Sequence, residues 1–166
     1  MTTPRHSGLL LAAVLLASCS GPAAGAGSTS VGPEQRALAA YESFWSVSQA
    51  AFASPASRDW AADLAAVATG SALEATLTEV RSYAEFPAHT VGAVSRSPAV
   101  SNVTDVRINV VDCVDLGDSR LVADRTGEVL DDLANRVQRY RYRAEIVAKR
   151  DQWLVDRIEA SLDEPC

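Results

Sequence analysis

The chain lacks the short motifs that specify the common chemistries. It has no G-x-S-x-G elbow, no H-E-x-x-H helix and no phosphate loop. Histidine is scarce, with only His6 and His89 present. Cysteine is scarce too, at positions 19, 113 and 166. Away from the N-terminal segment, Cys113 and Cys166 with His89 fall short of the four ligands of a structural zinc site. No metal or other cofactor is therefore expected. Lysine is nearly missing: Lys149 stands alone against fourteen arginines, a bias that a GC-rich bacterial genome produces. Basic charge is outweighed by acidic, for a net −6. An acidic chain is a poor candidate for nucleic acid, or for anionic lipid held through its surface. No apolar run has membrane length either. The stretch from Gly8 to Ala17 holds about ten residues, where a span needs roughly 20.

What is present begins with an export signal. Arg5 and His6 precede the apolar stretch, and small residues follow it. The segment Leu16-Ala17-Ser18-Cys19 resembles a bacterial lipobox. That resemblance implies a signal peptide over residues 1–18, cleavage before Cys19, and a diacylglycerol on its thiol. The alternative is an ordinary signal peptide cleaved near Ala17-Ser18. No twin arginine stands near the start, so the general export route is expected. The mature chain from Cys19 to Cys166 would carry fourteen basic and twenty-one acidic residues, a net charge of −7. Its lipid, and not its surface, would hold it to the extracytoplasmic face of the cell membrane. At this length it makes one domain with a core of its own. With Cys19 lipidated, Cys113 and Cys166 form an even pair in an oxidising compartment, which reads as a disulfide. The alternative is two separate thiols.

Residues 19–33 read as the lipidated cysteine and a flexible tether of Ser, Gly, Ala, Thr and Pro. The domain then spans residues 34–166. Gly32 and Pro33 suit a helix start, and Leu38, Tyr41, Trp45 and Phe52 recur at helical spacing, with Ser48 and Gln49 a polar interruption. Ser54-Pro55 stops this helix. A shorter helix places Trp60, Leu64 and Val67 on one face, ended by Gly70. Ser71-Ala72-Leu73-Glu74 has a capping-box pattern and opens a third helix with Leu73, Leu77, Val80 and Ala84 inward. The period then becomes two. A strand is expected over Thr90–Arg96. In the next, Val106, Ile108 and Val110 face inward until Val111 and Cys113 take over the register, as a β-bulge would make them. Leu116–Asp132 reads as a long loop with a small strand at Leu121–Ala123. In the clearest strand Tyr140, Tyr142, Ala144, Ile146 and Ala148 face one way, and Arg139, Arg141, Arg143, Glu145 and Lys149 the other. Asp151-Gln152 makes a turn into a last strand, in which Trp153 and Val155 are out of phase with Ile158. Three helices followed by a meander of antiparallel strands is an α+β pattern.

That layout resembles the NTF2-like (cystatin-like) fold, and more closely the small secreted lipoproteins and Mce-associated proteins of actinobacteria. The resemblance is carried by LASC at 16–19, VVDCVD at 110–115, ADRTGE at 123–128, RYRYRAEIVAKRDQWLVDRIE at 139–159 and the terminal cysteine. It implies three N-terminal helices packed into a bent antiparallel sheet, forming a cone. The fold hosts isomerases and dehydratases as well as pure binding and assembly domains, so it fixes no activity.

Enzymes of this fold use an Asp, Tyr or His projecting into the cone. A base must lie within hydrogen-bond reach of the proton it takes. The candidates are His89, Tyr140 and Tyr142; the simpler expectation is that the tyrosines pack under the helices and His89 ends a strand. The row Arg139, Arg141, Arg143 could bind an anionic ligand or a partner; the simpler reading is a solvated sheet face paired with acids such as Asp105 and Glu159. Asp112, Asp115 and Asp118 lack the Gly and the final Glu of a calcium loop and read as loop solvation. Two functions remain. One is a membrane-anchored module of the cell envelope that binds a protein partner or a hydrophobic ligand. The other is an isomerase, dehydratase or hydrolase of the cone type.

Overall fold

The computed structural model describes residues 31–166. The expected signal peptide, Cys19 and most of the expected tether lie outside them. Helix α1 spans Pro33–Ala53, with Gly32 as its N-cap and Pro33 in its first turn. Proline suits this place because its missing N–H would be unpaired there in any case. Ala37, Tyr41, Phe44, Ser48 and Ala51 are its buried stripe. Leu38, Trp45 and Phe52 flank that stripe, and Ser48, the expected interruption, lies within it. Helix α2 is a single turn and a half, Ala61–Ala65.

Helix α3, Gly70–Glu85, buries Ala72, Thr76 and Val80. Gly70 therefore opens α3 and does not end α2. It has φ +54°, and an added Cβ would lie 2.5 Å from the Asp156 carboxylate. Glycine stands there because another strand passes so close. The capping box does not form. Thr69 is the N-cap, without a side-chain cap bond, and the Ser71 hydroxyl donates to the Asp156 carbonyl.

Six strands follow: β1 Ala88–Val91, β2 Ala99–Val103, β3 Arg107–Asp115, β4 Arg120–Ala123, β5 Arg139–Lys149 and β6 Gln152–Ser161. They make two antiparallel sheets, one of β2-β3-β5-β6 and one of β1-β4. The architecture is α+β, with the core between the helices and the larger sheet. The strands are not a simple meander, because β4 leaves the larger sheet to pair with β1.

The first strand is shorter than expected and ends before Arg96. At Gly92 the backbone turns at φ +83°, and a Cβ would lie 1.9 Å from the Asp118 carbonyl oxygen, so the chain passes too tightly there for any side chain. Strand β2, which the sequence did not announce, occupies the next stretch, mostly exposed and interrupted by a bulge. Val106 does not face inward; it precedes β3 and is exposed. Strand β3 has no bulge. Ile108, Val110, Asp112 and Val114 alternate inward without interruption and pair in unbroken register with β5. An aspartate in an apolar register imitates a phase slip. The slip in β6 is real: its register against β5 shifts between Glu145 and Ile146, which sets Trp153 and Val155 out of phase with Ile158.

Beyond β6 the chain folds back. Cys166 is disulfide-bonded to Cys113, with Cα atoms 5.8 Å apart. The backbone N–H of Arg141 donates to the Glu164 carbonyl, and the Arg143 guanidinium lies 2.6 Å from the Glu164 carboxylate. Its hydrogen bond with Arg143 holds the Glu164 carboxyl below the ordinary range. The arginine row is thus paired with an acid, but with Glu164 of the tail. Arg141 joins the same carboxylate at 3.5 Å, and Arg139 Nε donates to Cys113 Sγ.

Candidate functional site

A cavity of about 250 Å³ opens where α1, α3 and both sheets meet. Helix α1 contributes Trp45, Gln49 and Phe52, one side of its amphipathic stripe. Helix α3 contributes Glu79 and Tyr83, one turn apart. Strand β5 contributes Tyr140 and Tyr142 from its inward alternation. Asp131 and Arg136, from the loop between β4 and β5, complete the wall as an ion pair at 3.0 Å. Both are largely buried. Asp131 also accepts the Leu121 N–H, and Arg136 donates to the carbonyls of Leu116 and Ser119. This pair pins a long loop against the small sheet.

Five aromatic rings therefore surround one space. Trp45 and Tyr142 have centroids 5.3 Å apart and Phe52 and Tyr83 5.5 Å, both pairs tilted. Burial pushes the phenols of Tyr142, Tyr83 and Tyr140 above their ordinary value, and nearby negative charge, including Glu79, adds to the rise. They stay protonated near neutral pH. The wall thus offers neutral hydroxyls, an amide, the Asp131 carboxylate tied to a guanidinium, and the Glu79 carboxylate.

Of the residues singled out in the sequence, Tyr140 and Tyr142 line this cavity and His89 does not. Alternation along β1 gives the wall Thr90, while His89 Nδ1 lies 2.6 Å from Asp124 Oδ1, with a third of its side chain exposed. Among the described residues no His–Tyr pair forms. An Asp–Tyr pair does form, from residues the sequence reading had placed elsewhere. The Tyr41 hydroxyl donates to Asp112 Oδ2 at 2.9 Å, and the Ser97 N–H donates to Asp112 Oδ1 at 2.6 Å. Asp112 is 1% exposed, which corrects its assignment to loop solvation. Burial and the adjacent carboxylate push the Tyr41 phenol far up, so it remains a donor. Arg96 roofs the cluster, paired with Glu42 and lying over the Trp45 ring at 5.2 Å. Asp112 and Tyr41 are outside the cavity lining. Both acceptor oxygens of Asp112 are engaged, so the cluster fastens the segment before β2 onto α1 and β3. The signal that could have found it is an acid at an inward position between Val110 and Val114.

Among the described residues no group of His, Cys, Asp and Glu could hold a metal ion, and no helix is long and apolar enough to cross a membrane. No protein-family model matches the chain, and no curated protein matches its sequence. Among solved structures, it is similar to the crystal structure of the intermembrane space region of the chloroplast protein ARC6. The match has a TM-score of 0.58 at 14% identity and covers 78% of this chain and 97% of that one. At that identity the likeness is one of fold alone.

Proposed function

We propose that this protein is a lipid-anchored, extracytoplasmic binding module of the cell envelope, whose NTF2-like frame holds a small, mainly apolar ligand between its helices and sheets. The observation that carries this reading is the cavity walled by five aromatic side chains. Its volume exceeds the roughly 150 Å³ that suffices for a benzene-sized guest and lies just under the usual range of ligand sites. Catalysis finds less support. The desolvated carboxylate of Asp112 is spoken for by two hydrogen bonds, and His89 is turned away from the cavity. The lipobox-like LASC at residues 16–19 supports the anchor, as does the likeness to actinobacterial secreted lipoproteins.

Both halves of the proposal are testable. Cys19→Ala should abolish incorporation of labelled fatty acid and release the protein from membranes; an unmodified mature N-terminus at another residue would overturn the anchor. For the cavity, an environment-sensitive apolar dye should bind the mature protein saturably. Gln49→Trp, which fills the cavity from α1, should abolish binding while circular dichroism stays unchanged. Equal dye binding by the filled variant would refute the ligand site.

A further inference from the structure

The geometry points to a small organic cation, of the quaternary-ammonium class, as the ligand of this cavity; the inference rests on the cavity being a ligand site. The chain has ten aromatic residues, and five of them line this one space. Aromatic faces are electron-rich and attract a cation held within about 6 Å of the ring centroid. The interplanar angles are 59° for Trp45–Tyr142 and 55° for Phe52–Tyr83, so neither pair is a parallel stack. Arg96 already lies over Trp45, which leaves the other rings of the cavity as the principal partners.

Charge gives the sign. Asp131 and Arg136 neutralise each other at 3.0 Å. Glu79 remains. It is exposed and lines the cavity, which places it at the mouth. It accepts the Tyr83 hydroxyl at 3.0 Å and has no basic partner among the described residues. Its charge also reaches the phenols of Tyr140 and Tyr142. An anion entering the cavity would meet this carboxylate, and a neutral guest would leave it uncompensated. An alkylated ammonium satisfies both the carboxylate and the rings. It also sheds its water more readily than a compact, strongly hydrated ammonium such as that of lysine. A cavity of about 250 Å³ takes a molecule the size of choline.

Calorimetric titration of the full mature chain with choline tests this, beside its uncharged carbon isostere 3,3-dimethylbutan-1-ol. Choline should bind at least tenfold more tightly. Glu79→Gln keeps the shape of an exposed side chain and should bring choline down to the level of the isostere. Equal binding of the two probes to the wild-type protein, or undiminished choline binding by Glu79→Gln, overturns the cation while leaving the cavity as an apolar site. Dye binding that neither probe displaces has the same meaning. Absence of dye, choline and isostere binding together removes the cavity reading itself.

Discussion

Asp112→Ala should destabilise the domain by about 3 kcal/mol, because the buried Tyr41 hydroxyl and the part-buried Ser97 N–H lose their acceptor, and a buried unsatisfied group costs about 1–3 kcal/mol. Tyr41 is fully buried, and no water can replace the lost partner without a cavity polar enough to hold it. Part of the loss is offset, since alanine also removes a charge that is costly to bury. For a domain of this size the expected drop in melting temperature is about 10 °C. Tyr41→Phe should cost less, as it strips one donor and leaves the Ser97 bond intact. The double variant should cost less than the sum of the two, because the residues touch. Thermal unfolding of the three variants checks this. Additive effects, or a loss below about 1 kcal/mol for Asp112→Ala, would show that the pair is not the fastening described. Asn at 112 keeps one acceptor and should fall between wild type and alanine.

The second large effect belongs to the disulfide. Cys113 and Cys166 are 53 positions apart, and closing a loop of that length contributes up to about 4 kcal/mol by restricting the unfolded chain. Converting both to serine avoids a stray thiol and should lower the urea midpoint, with a steeper slope because the uncrosslinked unfolded chain exposes more surface. The folded tail keeps the Arg141 N–H bond to Glu164 and the Arg143 pair, so it should loosen without detaching from β5. Peptide mapping under non-reducing conditions should recover the Cys113–Cys166 pair. Finding both thiols free, or no change in midpoint in the double variant, would count against it.

Local periodicity was legible where one residue type dominated a face. The strand at 139–149 alternates aromatic and aliphatic against charged side chains, with Val147 the exception, and β5 buries every second residue from Tyr140 to Ile146. The α1 start was legible too, since Gly32-Pro33 suits few other places. Legibility failed where one residue answered to a distant neighbour. Gly70 looked like a helix stop, but it is a glycine because Asp156 of β6 lies against it. Asp112 looked like solvated loop because an inward acid needs a partner, and that partner, Tyr41, is 71 positions away. Strand β2 is mostly exposed, so burial imposed no alternation on it that a reader could find.

By itself, then, the sequence determined the α+β class, the three helices, the long C-terminal strands and the pair of cysteines available for a bond. These follow from side-chain periodicity and residue counts, which are properties of short stretches. Only the tertiary structure decided that β4 pairs with β1, that Asp112 is buried against Tyr41, and that His89 faces away from Tyr140 and Tyr142. It alone brought Glu79 and five aromatic rings from α1, α3 and β5 around one cavity. Each of these depends on which surfaces meet when helices dock on sheets. That is settled by packing and by the satisfaction of buried polar groups over the whole chain, and no window of neighbouring residues contains it.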